Sequence, residues 1–206
     1  MIPIFFVGDG RRDAATIPPI VSRILNADLR PMTRAWARLN RGGGGYPKKV
    51  QFAARQARDA GAAGLIAVVD RDRDPKREKL RRLQAGRDTD RMKAPPFPTA
   101  LGEADPHGEA WLLDDPQAIR EALGLDQGVE IPTVRKARNP KAALNELIDS
   151  SSHSFESPTH ALGEIARLVD HSRCVHASET GFGEFVEDVR SELGSTVSPP
   201  SGRGAS

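Results

Sequence analysis

Two short runs of unbroken apolar residues stand out from an otherwise polar chain. Ile2–Val7 and Leu65–Val69 are rich in Ile, Val and Phe, and each stops abruptly at an acidic turn. The first meets Gly8-Asp9-Gly10 and the second meets Asp70-Arg71-Asp72-Arg73-Asp74. Continuous rather than alternating hydrophobicity marks strands covered on both faces, as in a parallel sheet. Elsewhere the spacing turns helical. Thr16 predicts the cap of a helix that carries Pro18 and Pro19 in its first turn and ends near Leu25. Pro47 opens a helix through Ala60, closed by Gly61 and Gly64. Pro75 opens a strongly charged helix to about Gln84, and Gly86–Pro98 reads as a polar, proline-rich loop. Pro31–Leu39 is read as a strand and Thr99–Gly102 as a short one.

Helices dominate the second half. A helical turn is expected at Gly108–Leu113 and a helix at Pro116–Leu123. Another starts at Asn139-Pro140 and carries Leu144, Leu147 and Ile148 at core spacing. Two more follow, near Thr159–Asp170 and Gly183–Leu193. Alternating strands and helices, then helices alone, predict a single α/β domain over residues 1–193, with a parallel sheet between helices. Residues 194–206, GSTVSPPSGRGAS, have the composition of a disordered tail.

Composition narrows the class. No apolar run approaches a membrane span, and MIPIFFVGDG lacks a basic leader, so it reads as a strand rather than a signal peptide. The lone Cys174 excludes an internal disulfide and a cysteine-based zinc site, and a reducing cytoplasm is the expected compartment. Net charge is only +2, but it is unevenly spread. Arg30–Lys93 holds 18 Lys/Arg against 7 Asp/Glu, with no acid at all from Arg30 to Arg58. Leu101–Glu130 holds 8 acids against Arg120 alone. Two readings stay open: a basic surface folding back on an acidic one, or a phosphate-rich partner.

Ligands of open parallel sheets bind beyond the carboxyl ends of the strands. Asp9 follows one buried strand and Asp70 another, so neighbouring strands would bring the two carboxylates together. Asp72 stands two residues on. Hard cations such as Mg²⁺ bind through one or two carboxylates plus substrate phosphates. The same residue type also forms turns and caps after strands. Asp74, next to Pro75, is expected to cap the following helix.

Asp9-Gly10-Arg11-Arg12-Asp13 resembles the acidic-Gly-x-x-acidic turn after the first strand of TOPRIM domains. Val68-Val69-Asp70-Arg71-Asp72 resembles their DxD motif. Gly108-Glu109-Ala110-Trp111-Leu112-Leu113-Asp114 is similar to the EAWLLxD segment of a TOPRIM-like group, domain-of-unknown-function family 4276. Asn139-Pro140-Lys141 and the Phe182/Phe185 helix match that group in order, so the resemblance spans roughly residues 2–193. It implies a TOPRIM-like, Rossmann-like sheet, related to those of topoisomerases, primases and OLD-type nucleases, where such acids bind Mg²⁺ around a phosphodiester. The family's first acid is typically Glu, and Asp9 reaches less far.

The resemblance therefore implies a nuclease using Mg²⁺ (or Mn²⁺) in anti-phage defence or on mobile DNA. Asp9, Asp70 and Asp72 would hold the metal, and Glu109 is either a fourth acid there or a first-turn acid favoured by the helix dipole. Arg41, Lys48, Lys49, Arg71 and Arg73 would hold the backbone of DNA or RNA. An AAA- or ABC-type ATPase is the implied partner, and the alternative is a non-catalytic module that docks on or regulates such an ATPase. Gly42–Gly45 with Lys48 and Lys49 lacks the spacing of a phosphate loop. The five histidines, His107, His153, His160, His171 and His176, show no metal-binding spacing, although His107 precedes Glu109 in the expected site region.

Overall fold

The structure is a computed structural model that describes residues 1–39, 45–72, 74–92 and 95–197. Four strands, β1 (Ile2–Gly8), β2 (Leu29–Ala35), β3 (Gly64–Asp70) and β4 (Thr99–Ala104), form one parallel sheet in the order β2-β1-β3-β4. Helices α1 (Arg11–Leu25), α2 (Gly45–Asp59) and α3 (Glu78–Arg91) connect them. The helices α4 (Glu109–Leu113), α5 (Pro116–Leu123), α6 (Pro140–Asp149), α7 (Pro158–Leu168) and α8 (Phe182–Val197) follow.

Alternation along the strands divides the core in two. Ile4, Phe6, Ile66 and Val68 face a core built by α1 and α4–α8. Phe5, Val7, Leu65, Ala67 and Val69 face a smaller one closed by α2, α3 and Trp36. This is the α/β layering expected from runs of unbroken hydrophobicity. Because all four strands run parallel, their carboxyl ends share one edge. β1 and β3 are direct neighbours, with Phe5 opposite Leu65 and Val7 opposite Ala67.

Several boundaries differ from expectation. α1 begins at Arg11 rather than at a Thr16 cap, because Asp13 turns back to accept the Asp9 and Gly10 N–H groups. Pro18 and Pro19 consequently sit inside the helix. They leave the Ala14 and Ala15 carbonyls without intrahelical donors, and Gly163 of α7 lets that helix pack closely over Ala15. The strand expected through Leu39 ends at Ala35. Trp36–Leu39 forms a 3-10 turn whose Trp36 indole N–H donates to the Val68 carbonyl at 2.7 Å.

The helix starts at Glu78 and not at Pro75, so Arg77 and not Asp74 is its N-cap, although the Asp74 carboxylate still accepts from the Lys76 and Lys79 N–H groups at 3.1 and 3.2 Å. The helix then continues to Arg91, through the first six residues of the Gly86–Pro98 stretch expected as loop. Gly86 is no breaker there. A Cβ would lie 2.6 Å from the Pro47 carbonyl oxygen, so glycine lets α3 cross α2 at close range. β4 extends to Ala104, and α8 runs to Val197, four residues into the expected tail. Residues 198–206 and the glycine-rich segment 40–44 lie outside the described residues. Among the described residues no helix is long and apolar enough to cross a membrane.

Candidate metal centre

The edge where β1 and β3 end gathers the acids. Gly8 ends β1 at a position where a Cβ would fall 2.6 Å from the Asp13 Cβ. Glycine thus lets Asp13 fold over the turn and accept its N–H groups. The Asp9 carboxylate accepts the Asp70 backbone N–H at 3.3 Å, which brings the two strand-end residues into contact. Burial pushes the Asp13 carboxyl up, partly countered by the Asp9 backbone N–H that it accepts.

Past Asp70 the chain stays paired to the β4 side. The Arg71 N–H donates to the Ala104 carbonyl at 2.8 Å and the Asp72 N–H to the Pro106 carbonyl at 3.1 Å. Asp72 takes a left-handed backbone, φ +53°. This pairing draws the loop 105–108 beside the two acids. The Gly108 N–H donates to Asp70 Oδ1 at 3.1 Å. His107 Nδ1 lies 3.3 Å from Asp70 Oδ2 and 3.5 Å from Asp72 Oδ1. Asp70, Asp72 and His107 each offer a ligand atom, all within 4.8 Å of one another.

Burial, then the charges of Asp13 and Asp9, push the Asp70 carboxyl up to about 6, against the lowering effects of the Gly108 N–H and His107. Lys79 of α3 answers part of this charge. Its ammonium donates to the Asp70 carbonyl at 2.7 Å and to Asp72 Oδ2. Burial works against the Lys79 charge, but the hydrogen bond and attraction to Asp72 outweigh it and raise its pKa. Tyr46 stands nearby, its hydroxyl pKa raised by burial and then by Asp9.

Glu109 does not turn toward this group. It is buried and accepts from Arg12 Nη1 at 2.8 Å, with Lys141 Nζ at 3.9 Å. Arg12 also donates to Asn145 at 3.1 Å, tying α1 to α6. An open cleft of about 460 Å³ borders the cluster, lined by Asp72, Pro106, His107, Arg138, Asn139 and Pro140.

The basic stretch divides. Arg77 reaches Glu103 and Glu184, Arg87 reaches Asp188, and Arg91 reaches Glu192, so these cations hold β4 and α8 against α3. Arg71 pairs with Asp105 and donates to the Asp74 carbonyl at 3.0 Å. Lys48 and Lys49 make no ion pair with any described residue, and Lys49 Nζ sits 5.6 Å from the Tyr46 ring centre. Arg41 and Arg73 lie outside the described residues.

Of the expected acids, then, Asp70 and Asp72 join His107 in the cluster, Asp9 stands at the same edge and reaches it through the Asp70 backbone N–H, and Glu109 faces Arg12 instead. Lys79, Tyr46 and Arg138 were not anticipated, and no local spacing marks them. His107 could be suspected only from its place before Glu109. The chain matches no protein-family model, no curated protein and no solved structure.

Proposed function

We propose that this protein is a nuclease that uses Mg²⁺ or Mn²⁺ to cleave phosphodiester bonds of DNA or RNA. The observation that carries the reading is the meeting of Asp70, Asp72 and His107 at one strand end, with Asp9 of the neighbouring strand bonded to the Asp70 N–H and a cleft with Arg138 in its wall alongside. The residues fit a divalent cation. Asp70 is held with a raised pKa by burial and by its anionic neighbours, a repulsion that a bound cation relieves. The His107 Nδ1 is buried without a hydrogen-bond partner.

Asp70, Asp72 and His107 would hold the ion, with Asp9 at its border. Such an ion supplies charge stabilisation at a phosphoryl oxygen and lowers the pKa of a water. The protein's own groups do the rest. Asp13 and the Gly108 N–H fix the orientations of Asp9's turn and of Asp70. Lys79 neutralises Asp72 on the side away from His107. Arg138 offers a guanidinium to a phosphate entering the cleft, and Lys48 and Lys49 meet the flanking backbone by charge. The sequence resemblance would imply a setting in genome defence or mobile DNA, with an ATPase as the candidate partner.

The test is cleavage of single- and double-stranded DNA and RNA in Mg²⁺ and in Mn²⁺. It is run with and without any co-encoded ATPase, on wild type, Asp70→Asn and Asp72→Ala. Wild type cleaves and both variants, folded by circular dichroism, do not. Cleavage that persists in both variants, or no cleavage by wild type under any of these conditions, overturns the proposal.

A further inference from the structure

We infer that His107 is itself a metal ligand, through Nδ1, and that it turns the site toward a first-row transition ion, with Mn²⁺ bound more tightly than Mg²⁺. This rests on the metal site of the proposed function and not on cleavage.

Several polar atoms around the cluster are already satisfied. Asp70 Oδ1 accepts the Gly108 N–H, and Asp72 Oδ2 accepts Lys79. The other oxygen of each carboxylate, Asp70 Oδ2 and Asp72 Oδ1, has no hydrogen-bond donor among the described residues, and these are the two atoms nearest His107 Nδ1. That nitrogen is buried and makes no hydrogen bond, although both oxygens lie within 3.5 Å. Three residues thus each place one potential ligand atom within 4.8 Å of the other two, while the second oxygen of each carboxylate is held by a partner outside the cluster. Two carboxylates brought together repel, and a buried polar atom without a hydrogen bond is costly. A cation between them removes both penalties at once.

The imidazole is held in place by its backbone. The His107 carbonyl accepts the Ala110 N–H at 2.9 Å and the next residue's N–H is fixed on Asp70, so the backbone that carries the ring is held beside the two acids. The Gly108 N–H on Asp70 and the Lys79 ammonium on Asp72 orient the two carboxylates, as outer contacts do in a preformed metal site.

The donor set then chooses the ion. Two carboxylates alone suit Mg²⁺, Ca²⁺ and Mn²⁺, whereas imidazole favours transition ions. Mg²⁺ keeps its waters and prefers oxygen. Mn²⁺ accepts both donor types, so the His107 bond adds affinity for Mn²⁺ that Mg²⁺ does not gain.

The experiment is calorimetric titration of metal-free protein with Mn²⁺ and with Mg²⁺, paired with electron spin echo spectroscopy of the Mn²⁺-loaded protein. Wild type and the variants His107→Gln and His107→Ala are compared, their folds checked by circular dichroism. Wild type is expected to bind Mn²⁺ at least about tenfold more tightly than Mg²⁺ and to show modulation from a coordinated ¹⁴N. Both variants lose the ¹⁴N signal, and their Mn²⁺ affinity falls about tenfold while Mg²⁺ affinity changes less than about threefold. Absence of ¹⁴N modulation in wild type, an unchanged Mn²⁺ to Mg²⁺ ratio in the variants, or no binding of either ion overturns the inference. Mn²⁺ held through nitrogen with no cleavage would leave it standing and remove the nuclease reading. Cleavage with oxygen-only Mg²⁺ binding would do the reverse.

Discussion

Replacing Asp70 by Asn should stabilise the metal-free protein at neutral pH, although it removes a residue at the centre of the site. Asp70 has its carboxyl pKa raised from 3.8 to about 6, first by burial and then by Asp13 and Asp9. The folded state therefore holds this proton more tightly than the unfolded chain. Stability is highest below the unfolded value, falls as pH rises from about 4 to about 6, and levels off above that. That rise in pKa corresponds to about 3 kcal/mol, and partial solvent screening of the side chain brings this to the order of 2 kcal/mol.

Asn has no charge to penalise. Its Oδ1 can still accept the Gly108 N–H, and its amide nitrogen can donate to the unpaired His107 Nδ1. The variant should therefore exceed wild type by about 2 kcal/mol at pH 8 in a chelator, or roughly 4–8 °C in Tm for a chain of this size. The difference should close by about pH 4. Urea denaturation at both pH values measures it. Added Mn²⁺ should stabilise wild type alone, by about 2.7 kcal/mol at a hundred times its Kd, and so narrow or reverse the order. An Asn variant less stable than wild type at pH 8 without metal, or a gap that does not change with pH, would refute this account of Asp70.

Three further perturbations probe the surroundings. Arg12→Ala strands the buried Glu109 with only Lys141 at 3.9 Å and should cost about 1–3 kcal/mol in urea denaturation, most of it recovered in the double variant Arg12→Ala/Glu109→Gln. Gly86→Ala puts a Cβ 2.6 Å from the Pro47 carbonyl, so the melting temperature should drop by an amount matching about 1–3 kcal/mol, against the rise of a helix freed of glycine. Charge reversal of Lys48 and Lys49 should flatten the salt dependence of DNA binding by about 0.7–0.9 in log–log slope for each phosphate no longer neutralised. An unchanged slope in fluorescence anisotropy would remove these lysines from the interface.

The two central strands were legible in the amino-acid order alone, because unbroken runs such as Ile2–Val7 and Leu65–Val69 have no stable place except between two apolar layers. The same order puts Asp9, Asp70 and Asp72 at strand ends and marks the helix starts at Pro116 and Pro140 through local capping chemistry. Those are short-range properties. Helix limits that depend on a crossing, as at Gly86, were not legible, since a glycine carries the same local preference in either context. That β1 and β3 are neighbours, which joins Asp9 to Asp70, emerges from packing of the whole sheet. Packing also brings His107 from the loop after β4 onto the DxD carboxylates and turns Glu109 away to Arg12. Whether an acid faces a ligand or a cation depends on which charges other elements bring within a few ångströms, and that distance is set by segments remote from it in the chain.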